Sequence, residues 1–554
     1  MNWLIVWSLI EWLIRLTMVV VILRRQFMPA TSLAWLTITF LLPELGLFLY
    51  LLLGDARMGR KRTRLHRLIV FASRRAGRLS RLNRHIIRPD VAPELEPVIL
   101  LAENIGGMPI LGGNDVELLS EAEDLIARLI ADIDAAEHHV HLLYYIYACD
   151  EMGNKLSTAL MRAAKRGIEC RLLVDGAGSF AFWRSRICAE METAGVKVAE
   201  ALPVRLLRRS FARIDLRNHR KLAVIDGRIG YTGSHNVAEP FYGRGRKLRW
   251  IDLSARFTGP IVQQLQVVFL EDWVFDTGEA VDGQVHDEAR VDPSTPAGRA
   301  EDSTAEMVTN GSVGCLALHP KDSPAADDAT AWTSEAPSET GEGAAEAGAA
   351  NQPSRSRLEA SRYLPAVSAV GSTVAQVVPS GPSENDNAHL PNVLLTAINA
   401  ARRRIVITTP YFVPDESTMM ALLMAVGRGV EVDLILPHKT DHRLVAAAGR
   451  YYFEPLLEAG VKIHLFDGGL LHSKTVTVDD AFALLGSTNM DIRSFYLNFE
   501  LNVLLYGKAI TSELRFAQTS YLRQCQAVSL EEWRKQPRSR RMLHSLAVLL
   551  SPLL

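Results

Sequence analysis

The chain has 554 residues, 48% of them hydrophobic and 22% charged, which is long enough for two folded domains. A formal net charge of −1 excludes the broad positive field that non-specific nucleic-acid binding needs, so we expect no nucleic acid among the partners. The five cysteines form no CxxC pair and no metal-like spacing, and their odd number is typical of a reducing compartment.

Two apolar runs open the chain, at residues 3–23 and 33–53. As a helix, each is long enough to cross a hydrocarbon core of about 30 Å, and together they predict a membrane hairpin. Basic residues are more frequent after the second run, at 57–67, than in the turn between the runs. This asymmetry predicts that the rest of the protein lies in the cytoplasm.

Both apolar runs are interrupted by polar residues. Glu11 and Arg15 lie one helical turn apart and can form an ion pair, whereas Pro43 and Glu44 fall in the middle of the second run. Two full spans are therefore one interpretation of the hairpin, and a re-entrant or interfacial hairpin is another. A cleaved signal peptide is a further alternative, which the absence of a basic stretch before the first run disfavours.

Composition divides the remainder of the chain. Residues 276–371 are rich in Ala, Ser, Glu, Asp, Gly and Pro without apolar periodicity, which predicts a disordered acidic insert. We therefore expect a membrane hairpin with its basic flank (1–64), a first folded domain (65–275), the insert (276–371) and a second folded domain (372–554).

The two folded domains are similar to one another in the order of their parts. In each, a strand-like run, a helical pattern and a second strand-like run follow in turn: 140–145, 154–164 and 168–174, then 405–409, 419–426 and 430–436. A basic residue and a glycine end both helical patterns, at Arg166-Gly167 and Arg428-Gly429, as a helix C-terminus requires. Strand, helix and strand in this order predict an α/β fold with a mostly parallel sheet flanked by helices.

Each domain then carries the same polar set at identical spacing. The set comprises His219, Lys221, Asp226, Ser234 and Asn236 in the first domain, and His472, Lys474, Asp479, Ser487 and Asn489 in the second. A single HxK triplet carries little information, but one full match arises by chance in roughly one of a hundred thousand chains of this length. The duplicated match therefore predicts a functional site.

The chemistry of this set suits phosphodiester exchange. In a strand, His and Lys two positions apart project from the same face, so two copies side by side would place two imidazoles and two ammonium groups in one pocket. One imidazole can attack phosphorus while the other protonates the leaving oxygen, and the lysines can meet the charge on the phosphoryl oxygens. The serines and asparagines offer further donors, and we expect no cofactor and no metal ion. Asp226 and Asp479 sit at strand ends and are better suited to orient neighbours than to react.

These paired motifs resemble the HKD motifs of the phospholipase D superfamily, and the chain is similar to bacterial cardiolipin synthases. The similarity includes 43–46, 50–54, 113–114, 410–415, the closing 551–554 and, most specifically, the run from Gly486 to Glu500. The resemblance implies two phospholipase D-like repeats packed as a pseudo-twofold pair, in an enzyme of the bacterial inner membrane with a multi-pass anchor and cytoplasmic catalytic domains. It departs from the usual pattern in the long acidic insert.

By the same resemblance the enzyme would pass a phosphatidyl group from one phosphatidylglycerol to another, releasing glycerol and forming cardiolipin through a phosphohistidine. His219 would be the nucleophile and His472 the acid and then the base, with Glu500 and Asp252 orienting the two rings. The near symmetry of the repeats leaves the order of the two histidines open. A phospholipase D-type hydrolase, another phosphatidyltransferase, a nuclease and a catalytically dead membrane scaffold are the rival hypotheses.

Two basic segments have two interpretations each. The stretch from Gly243 to Lys247 either binds a lipid headgroup or is a solvated loop. The segment 538–554 joins a basic cluster to an apolar tail. It forms either a short amphipathic helix on the membrane surface or a helix packed on the catalytic domain. The sequence does not predict the oligomeric state.

Overall fold

Two similar α/β halves contribute strands to one β-sheet. The computed structural model describes residues 3–25, 29–54, 80–203, 215–241, 248–279, 363–382 and 389–549. Residues 280–362, which make up most of the predicted insert, lie outside the described residues. So do the basic stretch 243–247 and the closing residues 551–554.

The N-terminal apolar runs form three helices, α1 (Trp3–Arg24), α2 (Pro29–Leu41) and α3 (Pro43–Leu53). α1 is long and apolar enough to cross a membrane. The predicted Glu11–Arg15 ion pair is confirmed, at 3.1 Å. The second run, however, is not one continuous helix. It breaks at Leu42 because the ring of Pro43 clashes with a preceding helical turn, so this proline begins a new helix instead.

The segment before the insert contains five further α-helices and nine strands among the described residues. The helices are α4 (Glu96–Gly106), α5 (Ala122–Asp134), α6 (Glu151–Lys165), α7 (Arg186–Thr193) and α8 (Ile261–Thr277), with short 3-10 turns at Ser80–His85, Pro93–Leu95 and Phe182–Arg184. The strands are β1 (Leu111–Leu119), β2 (His139–Tyr144), β3 (Glu169–Asp175), β4 (Lys197–Ala201), β5 (Arg217–Asn218), β6 (Lys221–Ile225), β7 (Ile229–Gly233), β8 (Trp250–Ile251) and β9 (Ser254–Thr258).

The segment after the insert repeats this alternation. Its helices are α9 (His389–Ala400), α10 (Glu416–Gly427), α11 (Arg443–Arg450), α12 (Phe453–Ala459), α13 (Ile492–Tyr496), α14 (Lys508–Leu522), α15 (Leu530–Arg534) and α16 (Arg538–Val548). Its strands are β10 (Thr373–Ser380), β11 (Arg404–Thr408), β12 (Phe412–Val413), β13 (Glu431–Pro437), β14 (Lys462–Phe466), β15 (Leu470–Leu471), β16 (Thr475–Val478), β17 (Phe482–Gly486), β18 (Met490–Asp491), β19 (Asn498–Tyr506) and β20 (Cys525–Ala527).

Matching local signals build the repeated unit in both halves. An aspartate begins the helix of each unit: Asp150 accepts from the Gly153 amide at 3.0 Å, and Asp415 accepts from the Thr418 amide at 2.9 Å. Each helix ends at a glycine, and Gly167 and Gly429 share a φ of +86°, which a residue with a Cβ adopts only with strain. The predicted helix ends are confirmed at both glycines.

The sheet has a mirrored strand order about its centre. It runs β14-β13-β11-β16-β17-β19-β10 in the second half and continues β1-β9-β7-β6-β2-β3-β4 in the first, with β20 at one edge. β10 and β1 are antiparallel neighbours and join the halves. Corresponding strands therefore lie at equal distances from the junction, which is the arrangement expected of a pseudo-twofold pair.

The sheet is mixed, so the prediction of mostly parallel strands applies only to its outer parts. β2, β3 and β4 are parallel, as are β11, β13 and β14, because a helix separates each strand from the next and returns the chain to the same edge. Towards the centre the chain reverses through tight turns, so β6 and β7 pair antiparallel, as do β16 and β17.

Both ends of the predicted insert pack against the first half. Tyr363 is buried, and its hydroxyl donates to Glu169 at 2.7 Å while its ring lies 5.2 Å from the Arg171 guanidinium. Glu279, just after α8, lies 3.8 Å from the same arginine. The two described ends therefore converge on Arg171.

Candidate active site

Each HxK segment pairs with a strand of the other half, and each histidine interacts electrostatically with the lysine of the other segment. The His219 amide donates to the Phe499 carbonyl at 2.8 Å, where β5 pairs in parallel with β19. The His472 amide donates to the Ile251 carbonyl at 2.7 Å, where β15 pairs in parallel with β8. Each histidine is therefore fixed against the strand that carries a carboxylate of the opposite half.

The His219 ring is held by Glu500. Its Nδ1 lies 3.0 Å from both carboxylate oxygens of Glu500, which is completely buried. Glu500 in turn accepts from the Ser487 hydroxyl and, at 3.2 Å, from the Asn498 amide. With Nδ1 protonated towards this carboxylate, the Nε2 lone pair is left for chemistry.

The His472 ring is held in the same way by Asp252. Its Nδ1 lies 2.6 Å from a carboxylate oxygen of Asp252, and both side chains are buried. The two residues that the family resemblance nominated to orient the rings are therefore placed beside them, each across the interface between the halves. Each half therefore supplies the carboxylate that contacts the histidine of the other half: Asp252 of the first half contacts His472, and Glu500 of the second half contacts His219.

Both lysines of the motifs are buried with their ammonium groups beside the histidines. Lys221 donates to the His219 carbonyl at 2.6 Å, and Lys474 donates to the His472 carbonyl at 2.5 Å. Arg220, between His219 and Lys221, points to the opposite face and pairs with Asp272 at 2.6 Å. This alternation is the one that period two predicts for a strand.

Burial dominates the electrostatics of the site. It lowers the pKa of His219 and of His472 to about 4 and that of Lys221 to about 7, because removing a charged form from water is costly. The pKa of Glu500 is lowered in spite of burial, because His219 and Lys221 stabilise its charged form.

With both imidazoles neutral, the charges of the site balance. When both are protonated, Lys221 and Lys474 balance the charge of two carboxylates, Asp252 and Glu500, and all four side chains are buried. Burial lowers the pKa of Lys474 as it does that of Lys221, and the two carboxylates oppose this shift in both lysines. A phosphodiester bound between the two rings would add one negative charge, which would favour protonation of one imidazole. The site is therefore suited to hold one neutral and one protonated histidine when an anionic substrate is bound.

The Gly-Ser-x-Asn turns support the site rather than open it. The Ser234 hydroxyl lies 2.9 Å from the Leu253 amide, and the Leu501 amide donates to Ser487 at the same distance. A Cβ on Gly233 or Gly486 would overlap the neighbouring strand. Gly486 thus allows close approach of β19, which carries Glu500, and Gly233 allows close approach of β9, which begins two residues after Asp252.

The two asparagines of the turns lie in different surroundings. Asn236 accepts from the Ile146 amide at 3.2 Å, which ties it to the loop after β2. Asn489 donates to the Ser494 hydroxyl at 3.1 Å, and its side-chain oxygen is buried without a hydrogen-bond partner among the described residues. Asn489 is thus the turn residue with unused bonding capacity.

The motif aspartates lie away from the histidines. Asp226 accepts from the backbone amides of Glu137, His138 and His139, each at 2.8 Å. Asp479 accepts from those of Arg402, Arg403 and Arg404 at 2.8 to 3.0 Å. Both have a positive φ, +53° and +49°, which the three hydrogen bonds stabilise. The structure therefore places them as turn residues that fix the first strand of each repeated unit.

Two aromatic residues that the sequence reasoning missed contact the histidines. Tyr145 meets His219 edge-on, with ring centroids 4.9 Å apart, and its ring lies 5.2 Å from the Lys221 ammonium. Trp250 meets His472 edge-on, also at 4.9 Å. Trp250 begins β8 and lies two positions before Asp252, a spacing from which it could have been found.

No group of three or more His, Cys, Asp or Glu side chains that could hold a metal ion occurs among the described residues.

Comparisons with known proteins agree on one family. The family model described as cardiolipin synthase, PLD-like domain, matches residues 129–273 and 394–518, once in each half. The chain is 33% identical to cardiolipin synthase A of Klebsiella pneumoniae (strain 342), over 100% of this chain and 98% of that protein. It is 32% identical to cardiolipin synthase A of Escherichia coli (strain K12 / DH10B), over 96% and 95% of the two chains.

Among solved structures, phosphatidylserine synthase of Haemophilus influenzae Rd KW20 is similar in fold, with a TM-score of 0.53 at 14% identity. The similarity covers 82% of this chain and 100% of that one. Together with the domain matched in each half, this likeness confirms the predicted α/β fold with two phospholipase D-like repeats. The full-length relatives and the matched domain show that the chain belongs to the cardiolipin synthase family of the phospholipase D superfamily, and is a membrane-associated phosphatidyltransferase acting on phospholipids.

Proposed function

We propose that the enzyme transfers a phosphatidyl group from one phosphatidylglycerol to a second, giving cardiolipin and glycerol through a phosphohistidine intermediate. The observation that carries this proposal is the exchange of carboxylates between the halves. His219 and His472 each have Nδ1 held by a buried carboxylate of the other half. Two oriented imidazoles with buried ammonium groups are what a double displacement at phosphorus needs.

In the first half-reaction, His219 is the nucleophile. Its Nε2 attacks phosphorus, a P–N bond forms, and the P–O bond to the glycerol headgroup breaks. The leaving oxygen takes a proton from Nε2 of His472, so glycerol departs and His472 becomes neutral. Lys221 and Lys474 stabilise the charge on the phosphoryl oxygens as it develops.

The second half-reaction reverses the roles of the same groups. His472, now neutral, accepts the proton of a glycerol hydroxyl on the second phosphatidylglycerol. The resulting oxygen nucleophile attacks phosphorus, the P–N bond to His219 breaks, and cardiolipin forms. One phosphodiester replaces another, so the exchange needs no nucleotide.

Burial of the site favours an alcohol over water as the acceptor. Both histidines are less than a tenth exposed. A site this buried admits little water, so water competes poorly with a lipid hydroxyl for the intermediate. The apolar helix α1 and the names of the full-length relatives also support a lipid acceptor. We further propose that the catalytic halves lie on the cytoplasmic side of a bacterial inner membrane, because basic residues are frequent at 57–67.

The lipid products distinguish this function from its rivals. Purified full-length enzyme is incubated with phosphatidylglycerol vesicles, and the lipids are separated. We expect cardiolipin and an equal amount of glycerol, whereas a hydrolase yields phosphatidic acid and a scaffold yields neither. Phosphatidic acid as the main product would overturn the proposal, and so would full turnover by His472→Ala.

The order of the two histidines is tested by trapping the intermediate. With a phosphate-labelled phosphatidyl ester of p-nitrophenol, whose leaving group needs no proton, His472→Gln should accumulate an acid-labile phosphoenzyme on His219, because the base that activates the acceptor is missing. His219→Gln should accumulate none. Label found on His472 instead would reverse the assignment.

A further inference from the structure

We propose that the outward face of α16 docks on the surface of an anionic bilayer, beside the active site. The residues of this face are Met542, Leu543, Leu546 and Leu549, preceded by the basic first turn from Arg538 to Arg541. The sequence left open whether this segment lies on a membrane or packs on the catalytic domain. In the structure, one side of the helix packs on the catalytic domain, and we assign the other side to the membrane.

The polarity of α16 is opposite to that of an ordinary surface helix. Its buried residues are His544 and Ala547, which are 4% and 2% exposed. Its outward residues are large and apolar: Met542, Leu543, Leu546 and Leu549 are 63%, 56%, 55% and 73% exposed. A helix that only packs on its own domain turns such residues inward. Their outward position at i, i+4 and i+7 spacing therefore indicates a second apolar partner.

The charges around this face specify the partner. The segment Arg538–Val548 holds three arginines and no acidic residue, and one of the three, Arg541, lies 3.8 Å from Glu454 of α12. Arg450 of the neighbouring helix adds a fourth, and burial together with the nearby Arg540 guanidinium lowers its pKa. Like charges held this close are stabilised by an anionic surface. Apolar residues beside arginines on one helix are the pattern of an interfacial membrane helix.

A second copy of the chain fits this face less well. A twofold contact through α16 would bring the arginine cluster of one copy against the same cluster of the other, because both copies use the same patch. An anionic lipid surface meets both the apolar stripe and the positive charge. The substrate that we propose, phosphatidylglycerol, is itself an anionic lipid.

The docking face is joined to the catalytic site through one packed layer. Ala547 of α16 packs with Ala448 of α11 and Val413 of β12 in a small buried cluster. β12 pairs with β18, where Val413 is opposite Asp491 and Phe412 is opposite Met490, next to the site residue Asn489. Docking through α16 would therefore hold the site close to the bilayer surface from which lipid substrates arrive.

Quenching by lipid tests whether α16 touches the bilayer. Full-length enzyme with Cys149→Ser and Cys315→Ser is labelled with a bimane at Leu546→Cys or, as a matched control, at Phe516→Cys on α14. Phe516 is 72% exposed, like the residues of the docking face. In vesicles of brominated phosphatidylglycerol, we expect strong quenching at 546 and little at 516. Equal quenching at both positions, or none at 546, would overturn the inference.

Kinetics separate docking from chemistry. Arg538→Gln and Arg540→Gln should each raise the surface fraction of phosphatidylglycerol needed for half-maximal rate roughly fivefold, since one surface charge contributes about that factor. The rate with monomeric short-chain phosphatidylglycerol should not change. Loss of the rate with monomeric substrate would contradict a docking role. A bimane at position 546 that is shielded from solvent in detergent without vesicles would also contradict it, because a second copy of the chain would then cover the face. The quenching result does not depend on which lipid product the enzyme makes.

Discussion

Replacing Glu500 by Gln keeps the shape of the buried side chain and removes its charge. Both carboxylate oxygens lie 3.0 Å from Nδ1 of His219, and the side chain is completely buried. In the proposed mechanism His219 becomes positively charged as the P–N bond forms. Glu500 therefore stabilises the transition state more than the neutral ground state.

The size of the effect follows from this distance. Opposite unit charges 3 Å apart interact by about 5 kcal/mol at an effective dielectric constant of about 20. Glutamine keeps an oxygen that can accept from Nδ1, and such a hydrogen bond retains roughly 1 kcal/mol. Allowing for partial charge in the transition state, we expect a loss of about 3 kcal/mol, which is roughly a hundredfold decrease in kcat.

The assay measures kcat for cardiolipin formation by Glu500→Gln in phosphatidylglycerol vesicles, with thermal unfolding to show that the variant is folded. Glu416→Gln, at an exposed position in the first turn of α10, is the control and should keep the wild-type rate. A folded Glu500→Gln enzyme with kcat within about threefold of wild type would refute the role of the carboxylate in transition-state stabilisation.

Three further predictions concern stability, protonation and ring position. Asp226→Ala loses three charge-assisted hydrogen bonds to backbone amides, so we expect the unfolding free energy in denaturant titrations to fall by about 3 kcal/mol. The kcat per folded molecule should stay near that of the wild type. A folded but inactive variant would contradict this prediction. Because burial lowers the pKa of His219 to about 4, the unfolded chain binds this proton more readily between pH 4 and 6.5. The contribution of His219 to the unfolding free energy should therefore fall by about 3 kcal/mol as pH decreases through this window, and His219→Gln should remove this contribution from the measured pH dependence. Trp250→Leu removes the ring beside His472 and should lower kcat about tenfold. Trp250→Phe keeps an aromatic ring there and should have a kcat near that of the wild type. Equal rates for the two variants would exclude a positioning role for the ring.

The sequence was sufficient to predict much of the candidate site. Identical spacing of His219 and His472 within two similar domains identified the histidines and their lysines, because a strand has a strict period of two and places both side chains on one face. Gly167 and Gly429 gave the ends of two helices for an equally local reason, since a left-handed residue favours glycine. Such features depend on neighbours in the chain and are therefore readable without a fold.

Tertiary structure decided what lies across from each residue. No local rule indicates that β5 pairs with β19 or β15 with β8, which is what carries Glu500 to His219 and Asp252 to His472. Asp226 belongs to the motif by spacing, yet the fold turns it towards backbone amides and away from the histidines. Period two fixes the face on which a side chain projects, but the strand that meets that face is chosen by packing between distant parts of the chain.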